Sequence, residues 1–315
     1  MPGEKNTLFT KKHYECVTGL ADPKLTELVV HCLELVAELQ ATGLPFRFKG
    51  GNSLLLILPH PERFSIDVDI ATGATKDEVI RAVKDLIASS ETTRFTGYEV
   101  RPHQTKPWLP MISFKLFFKS LYQNDEDAFV MLDAVLEKAP YPGEMRPIVC
   151  GDIYRAHTNV ETPTTSGLIA DKLLTLGPST LGIPLDKKKE AQRLKHIFDV
   201  ASLLRCEYSI DRVREAIRPC IEQENILQKK KIEFPDVRED TLMFLRETRN
   251  LSDAICGQTL DAPPPDHTSK DIAAAYRYEI LRGFHEFCSY LFRTKYTWKR
   301  LEEDAASIAA LLEKL

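Results

Sequence analysis

The chain has 315 residues, 43% hydrophobic and 28% charged, an ordinary globular composition with room for one large or two medium domains. A formal net charge of −4 and a pI near 6.1 exclude a globally basic nucleic-acid binder, so any such contact needs a local basic patch. No apolar run approaches the roughly 20 residues that span a bilayer, and the expectation is a protein without a membrane segment.

In chain order, "KLTELVVHCLELVAELQ" (24–40) carries apolar residues at helical spacing, and Gly43-Leu44-Pro45 stops it. A strand "FRFKG", a Gly-Gly turn and a short helical run "NSLLLIL" follow, and Pro59 and Pro61 break that run. In the next segment Phe64, Ile66, Val68 and Ile70 alternate with Ser65, Asp67 and Asp69, the pattern of a strand with one apolar face. A second helix is expected over 76–89, then strands over 98–101, 111–118 and 129–136. After Pro147 the pattern turns helical, most clearly in "GLIADKLLTL" (167–176) and "KKKEAQRLKHIFDVASLLRC" (187–206). A polar loop around "DAPPPDHTSKD" interrupts the rest, and there is no internal repeat. The expected organisation is an α/β domain over 1–150 and a helical domain over 151–315, an α+β protein.

The seven cysteines (16, 32, 150, 206, 220, 256, 288) are scattered, odd in number and never in CxxC spacing, which points to a reducing cytoplasm. The pairs His13/Cys16 and His285/Cys288 have i, i+3 spacing without a second ligand pair, so zinc is not expected.

The chemistry concentrates in Phe48–Ile70. Asp67 and Asp69 share the polar strand face roughly 7 Å apart and repel each other. A solvated face tolerates this; a hard divalent cation removes the repulsion and favours carboxylates together with phosphates. Asp133 stands in the middle of the apolar run "FVMLDAVL", either in a structural ion pair or as a third acid beside the first two. Three acids on adjacent strands can hold two Mg²⁺ ions, which activate an attacking oxygen and neutralise a triphosphate's leaving group. Gly50-Gly51 is either a plain turn or a loop whose backbone N–H groups approach phosphate, with Ser53 adding a hydroxyl. In the helical half, Lys172 lies off its helix's apolar stripe, and Lys195 and Asp199 share a face at i, i+4, as a surface ion pair or a functional one. The clusters "KKKEAQRLK" (Lys187, Lys188, Lys189, Arg193, Lys195), "QKKK" (229–231) and "YLFRTKYTWKR" (290–300) read as solvated faces and helical core, or as surfaces for single-stranded ends.

Together, "FKGGNSL", "RFSIDVDI", "LIADKLLTL" and "KHIFDVASLL" resemble the AbiEii/AbiGii-type nucleotidyltransferase toxins of the polymerase β-like nucleotidyltransferase superfamily, over residues 44–206. The resemblance implies a polymerase β-like mixed sheet with flanking helices, followed by a helical domain that contributes to the site. It implies a metal-dependent transfer of NMP from an NTP to RNA, the tRNA 3′ end in characterised types. The setting it implies is a toxin–antitoxin pair of type IV kind in abortive phage infection. Carried over by position, it assigns Asp67, Asp69 and Asp133 to Mg²⁺ or Mn²⁺, and Lys172, Lys195 and Asp199 to catalysis. Lys49, Gly50, Gly51, Ser53, Arg63 and Ser65 are assigned to the nucleotide. A winged-helix antitoxin is the implied partner. Asn52 stands where the family has Thr or Ser, and no Arg-Pro precedes Lys195. Transfer to a small molecule or protein, or a non-catalytic nucleotide- or partner-binding module, remain competing readings; three intact acids count against the last.

Overall fold

A computed structural model describes residues 7–89, 93–101, 108–123, 128–249, 251 and 272–315; the "DAPPPDHTSKD" stretch and Cys256 lie outside the described residues. The chain divides into two compact units, Met1–Pro163 and Thr164–Leu315.

The first unit opens with helices α1 (Lys11–Val17) and α2 (Pro23–Ala41). Asp22 caps α2 by accepting from the Lys24 N–H at 2.9 Å, Pro23 supplies a preset φ, and Gly43 in the left-handed region follows its end. Then come β1 (Arg47–Lys49), the single turn α3 (Leu54–Ile57), β2 (Asp67–Ala71) and α4 (Lys76–Ala88), which a Thr75/Glu78 capping box starts. β3 (Phe95–Arg101), β4 (Met111–Phe118), β5 (Ala128–Val135), β6 (Gly143–Cys150) and β7 (Tyr154–Pro163) complete a seven-stranded sheet in the order β3-β4-β5-β2-β1-β7-β6. The sheet is mixed: β2 runs parallel to β5 and β1 parallel to β7, and the remaining pairs are antiparallel.

The helical reading after Pro147 is therefore corrected, since β6 and β7 are strands and the first unit extends past residue 150. In β7, Tyr154, Ala156, Val160 and Thr162 are buried while Arg155, His157 and Asn159 are exposed. This is a period of two, muted in sequence because Ala and Thr occupy core positions.

The two sheet faces differ. Phe48, Val68, Ile70, Phe114, Leu116, Leu132 and Ala134 are buried on one face, where α2 packs against β2, β5 and β7. The other face carries the candidate chemistry.

The second unit is helical: α5 (Thr165–Leu173), a 3₁₀ turn (Leu185–Lys187), α6 (Glu190–Leu204), α7 (Ile210–Gln228), α8 (Phe234–Arg246), α9 (Ile272–Cys288) and α10 (Trp298–Leu312). Its core is aromatic: Phe198 packs on Phe287 and Tyr296, and Trp298 stacks on Phe284 at 3.6 Å. Among the described residues, no helix is long and apolar enough to cross a membrane, and the six described cysteines are free thiols.

Helix α2 carries a buried acidic side. The Tyr154 hydroxyl donates to Glu34, and the Glu38 carboxylate accepts from the Thr93 hydroxyl and the Arg94 N–H. Burial first, and the nearby Glu34 carboxyl as well, push Glu38 up to about 7. Because the folded-state value is raised, the folded protein binds the extra proton. The stabilisation is full below the ordinary carboxylate value and is lost as pH rises through about 7. Replacement Glu38→Gln should therefore flatten the loss of stability between pH 5 and 8, by on the order of 1–3 kcal/mol across that range. Denaturant unfolding at several pH values measures this; parallel profiles for wild type and variant would refute it.

Candidate active site

Strand register places the acids. Asp69 pairs with Lys49 of β1 on one side and with Asp133 of parallel β5 on the other. Asp133 in turn faces Ser113 of β4, and Ser113 faces Arg101 of β3. A single row, Lys49–Asp69–Asp133–Ser113–Arg101, thus crosses five strands on one face. Directly paired residues of neighbouring strands project to the same side. The next row holds Asp67, Met131, Lys115 and Glu99. Asp67 is exposed, and Asp69 and Asp133 are half-buried. The three predicted acids therefore share one face, and two of them are immediate neighbours. β2 itself begins at Asp67 rather than at Phe64, and the Cys32 thiol of α2 donates to the Ile66 carbonyl at 3.2 Å just before it.

The Gly-Gly turn serves this row. Gly50 has φ +72°, and a Cβ there would overlap the Asp69 carboxylate. Only glycine meets both demands, so the residue makes room for an acid as well as for a turn. A Cβ on Gly51 would stand 2.9 Å from both Arg63 Nη2 and Ser65 Oγ. Arg63 is buried and donates from Nη1 to the Phe64 carbonyl at 2.8 Å. The turn is thus laid against Arg63 and Ser65, which explains why these residues fall together. Ser53 is fully buried and donates to the Gly50 carbonyl at 2.9 Å, closing the turn from inside. Asn52 is also fully buried.

Ser113 is the residue that the sequence did not reveal. It is buried and donates to Asp133 Oδ1 at 2.5 Å, fixing one carboxylate oxygen and leaving the other for a ligand. Alternation marks a serine in "MISFKLFF" only as one face of a strand; pairing with Asp133 exists only once β4 and β5 are in register.

Carboxylate oxygens are the donors that a hard divalent cation prefers, and the row fits such an ion in donor type. Among the described residues, no three His, Cys, Asp or Glu side chains are drawn into one ligand set. The expected convergence is therefore one of neighbouring backbone positions. Like charges side by side repel without a counter-ion, and Ser113 tethers one of them.

The second unit holds the other predicted residues. Lys172 is buried, 5% exposed, and its Nζ lies 2.7 Å from Asp199 Oδ2, which is 1% exposed. Lys172, off the apolar stripe by spacing, is thus held inside by its acid rather than by solvent. Asp199 reaches across from α6 to α5, whereas Lys195 lies over the Tyr290 ring at 3.3 Å. The expected basic patch is also revised. Arg193 is 1% exposed, paired with Glu279, and donates to the carbonyls of Ile183 and Pro184. Lys187, Lys188 and Lys189 are exposed but precede α6 in a turn where Lys188 has φ +48°. In the 290–300 segment Phe292 and Tyr296 are core residues, while Tyr290 and Trp298 are half-buried. Burial of Glu279 raises its carboxyl to about 7, against the Arg193 charge.

A buried pair of this kind stabilises little when intact and costs much when halved. Asp199→Ala should lower unfolding stability by about 3–5 kcal/mol, because Lys172 stays buried without its acid. The double change Lys172→Met, Asp199→Leu should recover most of that loss. Urea unfolding of the three proteins decides it; an unchanged midpoint for Asp199→Ala would show the pair to be solvated.

A sequence profile described as "Nucleotidyl transferase AbiEii toxin, Type IV TA system" matches residues 34–276. That span holds the Gly-Gly turn, all three acids and the Lys172–Asp199 pair. No curated protein matches the sequence. Among solved structures, the chain is similar to MenT4, a nucleotidyltransferase toxin from Mycobacterium tuberculosis H37Rv, at 15% identity and a TM-score of 0.48, covering 92% of each chain. It is also similar to an antigenic nucleotidyltransferase-like protein from Paracoccidioides brasiliensis, at 13% identity and a TM-score of 0.39, covering 68% of this chain and 96% of that one. The profile match over most of the chain, on the segment that carries the acids and their glycine turn, makes this protein a member of the AbiEii nucleotidyltransferase toxin family.

Proposed function

We propose that the chain transfers a nucleoside monophosphate from an NTP to the 3′ end of an RNA, with tRNA as the acceptor class. We place it as a cytoplasmic toxin of an abortive phage-infection system, opposed by a winged-helix antitoxin. The observation that carries the chemistry is the adjacency of Asp69 and Asp133 in one register pair, with Asp67 on the same face and the Gly50–Gly51 turn against them.

In this reading Asp67, Asp69 and Asp133 hold Mg²⁺ or Mn²⁺. The bound cation offsets triphosphate charge and lowers the pKa of an attacking hydroxyl. Lys49, next to Asp69, faces the negative phosphates. Gly50 and Gly51 keep the backbone low where the nucleotide lies, while Ser53, Arg63 and Ser65 hold that backbone in shape. Asp199 positions the Lys172 ammonium, and Lys195, over the Tyr290 ring, is assigned to catalysis by its family position. The acceptor hydroxyl attacks the α-phosphorus; a phosphoester bond forms and the bond to pyrophosphate breaks.

Incubation with total RNA, Mg²⁺ and each labelled NTP in turn tests the reading. Asp67→Ala, Asp69→Ala and Asp133→Ala should each abolish labelling, and the first two should leave unfolding stability neutral or raised, since a like-charge neighbour is removed. Near wild-type labelling by any of them would refute the assignment. Lys195→Ala should lower kcat/KM for NTP by about 2–4 kcal/mol. Ser113→Ala should weaken Mn²⁺ binding, followed by electron paramagnetic resonance, by about tenfold, with rescue by Ser113→Thr. Equal Mn²⁺ affinity in Ser113→Ala would remove Ser113 from the site.

A further inference from the structure

The open face of β3, β4 and β5 continues past the acids into an aromatic and cationic strip. Along β5 the outward residues run Asp133, Met131, Phe129. Phe129 is 41% exposed, and Phe117, its register partner on β4, meets it edge to face at 6.3 Å. Lys115 Nζ lies 4.8 Å over the Phe129 ring and 3.6 Å from Glu99. Arg101 is exposed and lies 3.9 Å from the Met131 sulfur through Nη1. Two neighbouring phenylalanines at the start of β5 and the end of β4 thus stand on the open face, with Lys115 over one ring and Arg101 beside Met131, two residues nearer the acids.

We propose that this strip is the path of the acceptor strand: a base of single-stranded RNA stacks on Phe129 and Phe117, and Lys115 and Arg101 meet the phosphates between that base and the acids. The inference rests on the nucleotidyltransferase reading with an RNA acceptor and adds the surface that receives that RNA. Three observations support it. The strip and the acid row share one face and one strand, so a chain lying along β5 points its end at Asp133. Phe129 lies four residues from Asp133, roughly 13 Å along the strand, which is farther than a single nucleoside reaches and suits a polymer whose terminal hydroxyl is at the metals. An aromatic pair followed by two cations on the way to the acids combines stacking with phosphate contacts, the means by which single strands are held without reading their sequence. The exposed contact of Lys115 with Phe129 and its open pair with Glu99 are weak in water, so an incoming base and phosphate displace them readily. Of the patches expected from sequence, Arg193, Phe292 and Tyr296 are buried and so not available to RNA.

The test uses the full chain and a fluorescent single-stranded RNA of about 12 nucleotides, with affinity measured by anisotropy across a salt series and NTP binding measured by calorimetry. Phe129→Ala should weaken RNA binding roughly 5- to 150-fold, and Phe129→Trp should restore it. The double variant Arg101→Ala, Lys115→Ala should flatten the salt slope by about 1.4, near 0.7 for each phosphate contact. NTP affinity should be unchanged in all of these. Wild-type RNA affinity and salt slope in both the Phe129→Ala and the double variant would overturn the strip while leaving RNA labelling, and with it the functional reading, intact. Loss of NTP affinity together with RNA affinity in Phe129→Ala would also overturn it, as a disturbance of the fold. If the wild-type chain neither binds nor labels RNA, both the strip and the RNA acceptor fall.

Discussion

Two carboxylates held side by side on neighbouring parallel strands set the terms for everything around them. Asp69 and Asp133 cannot separate without shifting the register of β2 against β5, and that register is locked by Val68, Ile70, Leu132 and Ala134 on the buried face. The repulsion is thus imposed by the hydrophobic core. Lys49 on one side and Ser113 on the other moderate it, and Gly50 yields its side-chain volume to Asp69. Neighbouring carboxylates are the donor type that a hard divalent cation takes.

The second unit solves a different problem with the same means. Several of its charged side chains are buried and paired: Lys172 with Asp199, Arg193 with Glu279, and Asp304 with the Tyr296 hydroxyl and the half-exposed Arg205. Pairs of this kind contribute little net stability, but each fixes a helix pair in one arrangement, because either member alone would be costly. Lys172 is therefore both a candidate catalytic cation and a structural one. Its removal mixes the two effects unless Asp199 is changed with it.

What could be read in the sequence follows from what local pattern carries. The D-x-D alternation, the Gly-Gly turn, the helix over 24–40 and strand 111–118 were legible, because each rests on period, capping or breaker residues within a short window. Strands β6 and β7 were missed because Pro147 and the polar residues of β7 blurred an alternation that only burial reveals. The lysine run at 187–189 looked helical, yet Lys188 takes a left-handed turn before α6 starts. Arg193 looked like part of a basic patch, though it shares the buried side of α6 with Leu194 and Ile197 and finds Glu279 some 86 residues away. Ser113 had no signal of its own. For Arg193 and Ser113 the deciding partner is distant in sequence, and no window contains it.

The same distance shapes when the protein can become active. Asp69 and Asp133 stand 64 positions apart in the chain but one strand apart in the sheet, and β1 waits still longer for its parallel neighbour β7. Parallel pairing of remote segments closes long loops before any contact repays the entropy, so this sheet is a slow element to assemble. A chain still emerging from synthesis carries Asp67 and Asp69 long before β5 exists to set Asp133 beside them. The acid pair is thus absent from every partly made form that stops short of β5. For a protein whose product is toxic, topology itself acts as a delay, with harmful chemistry withheld until the sheet is nearly complete.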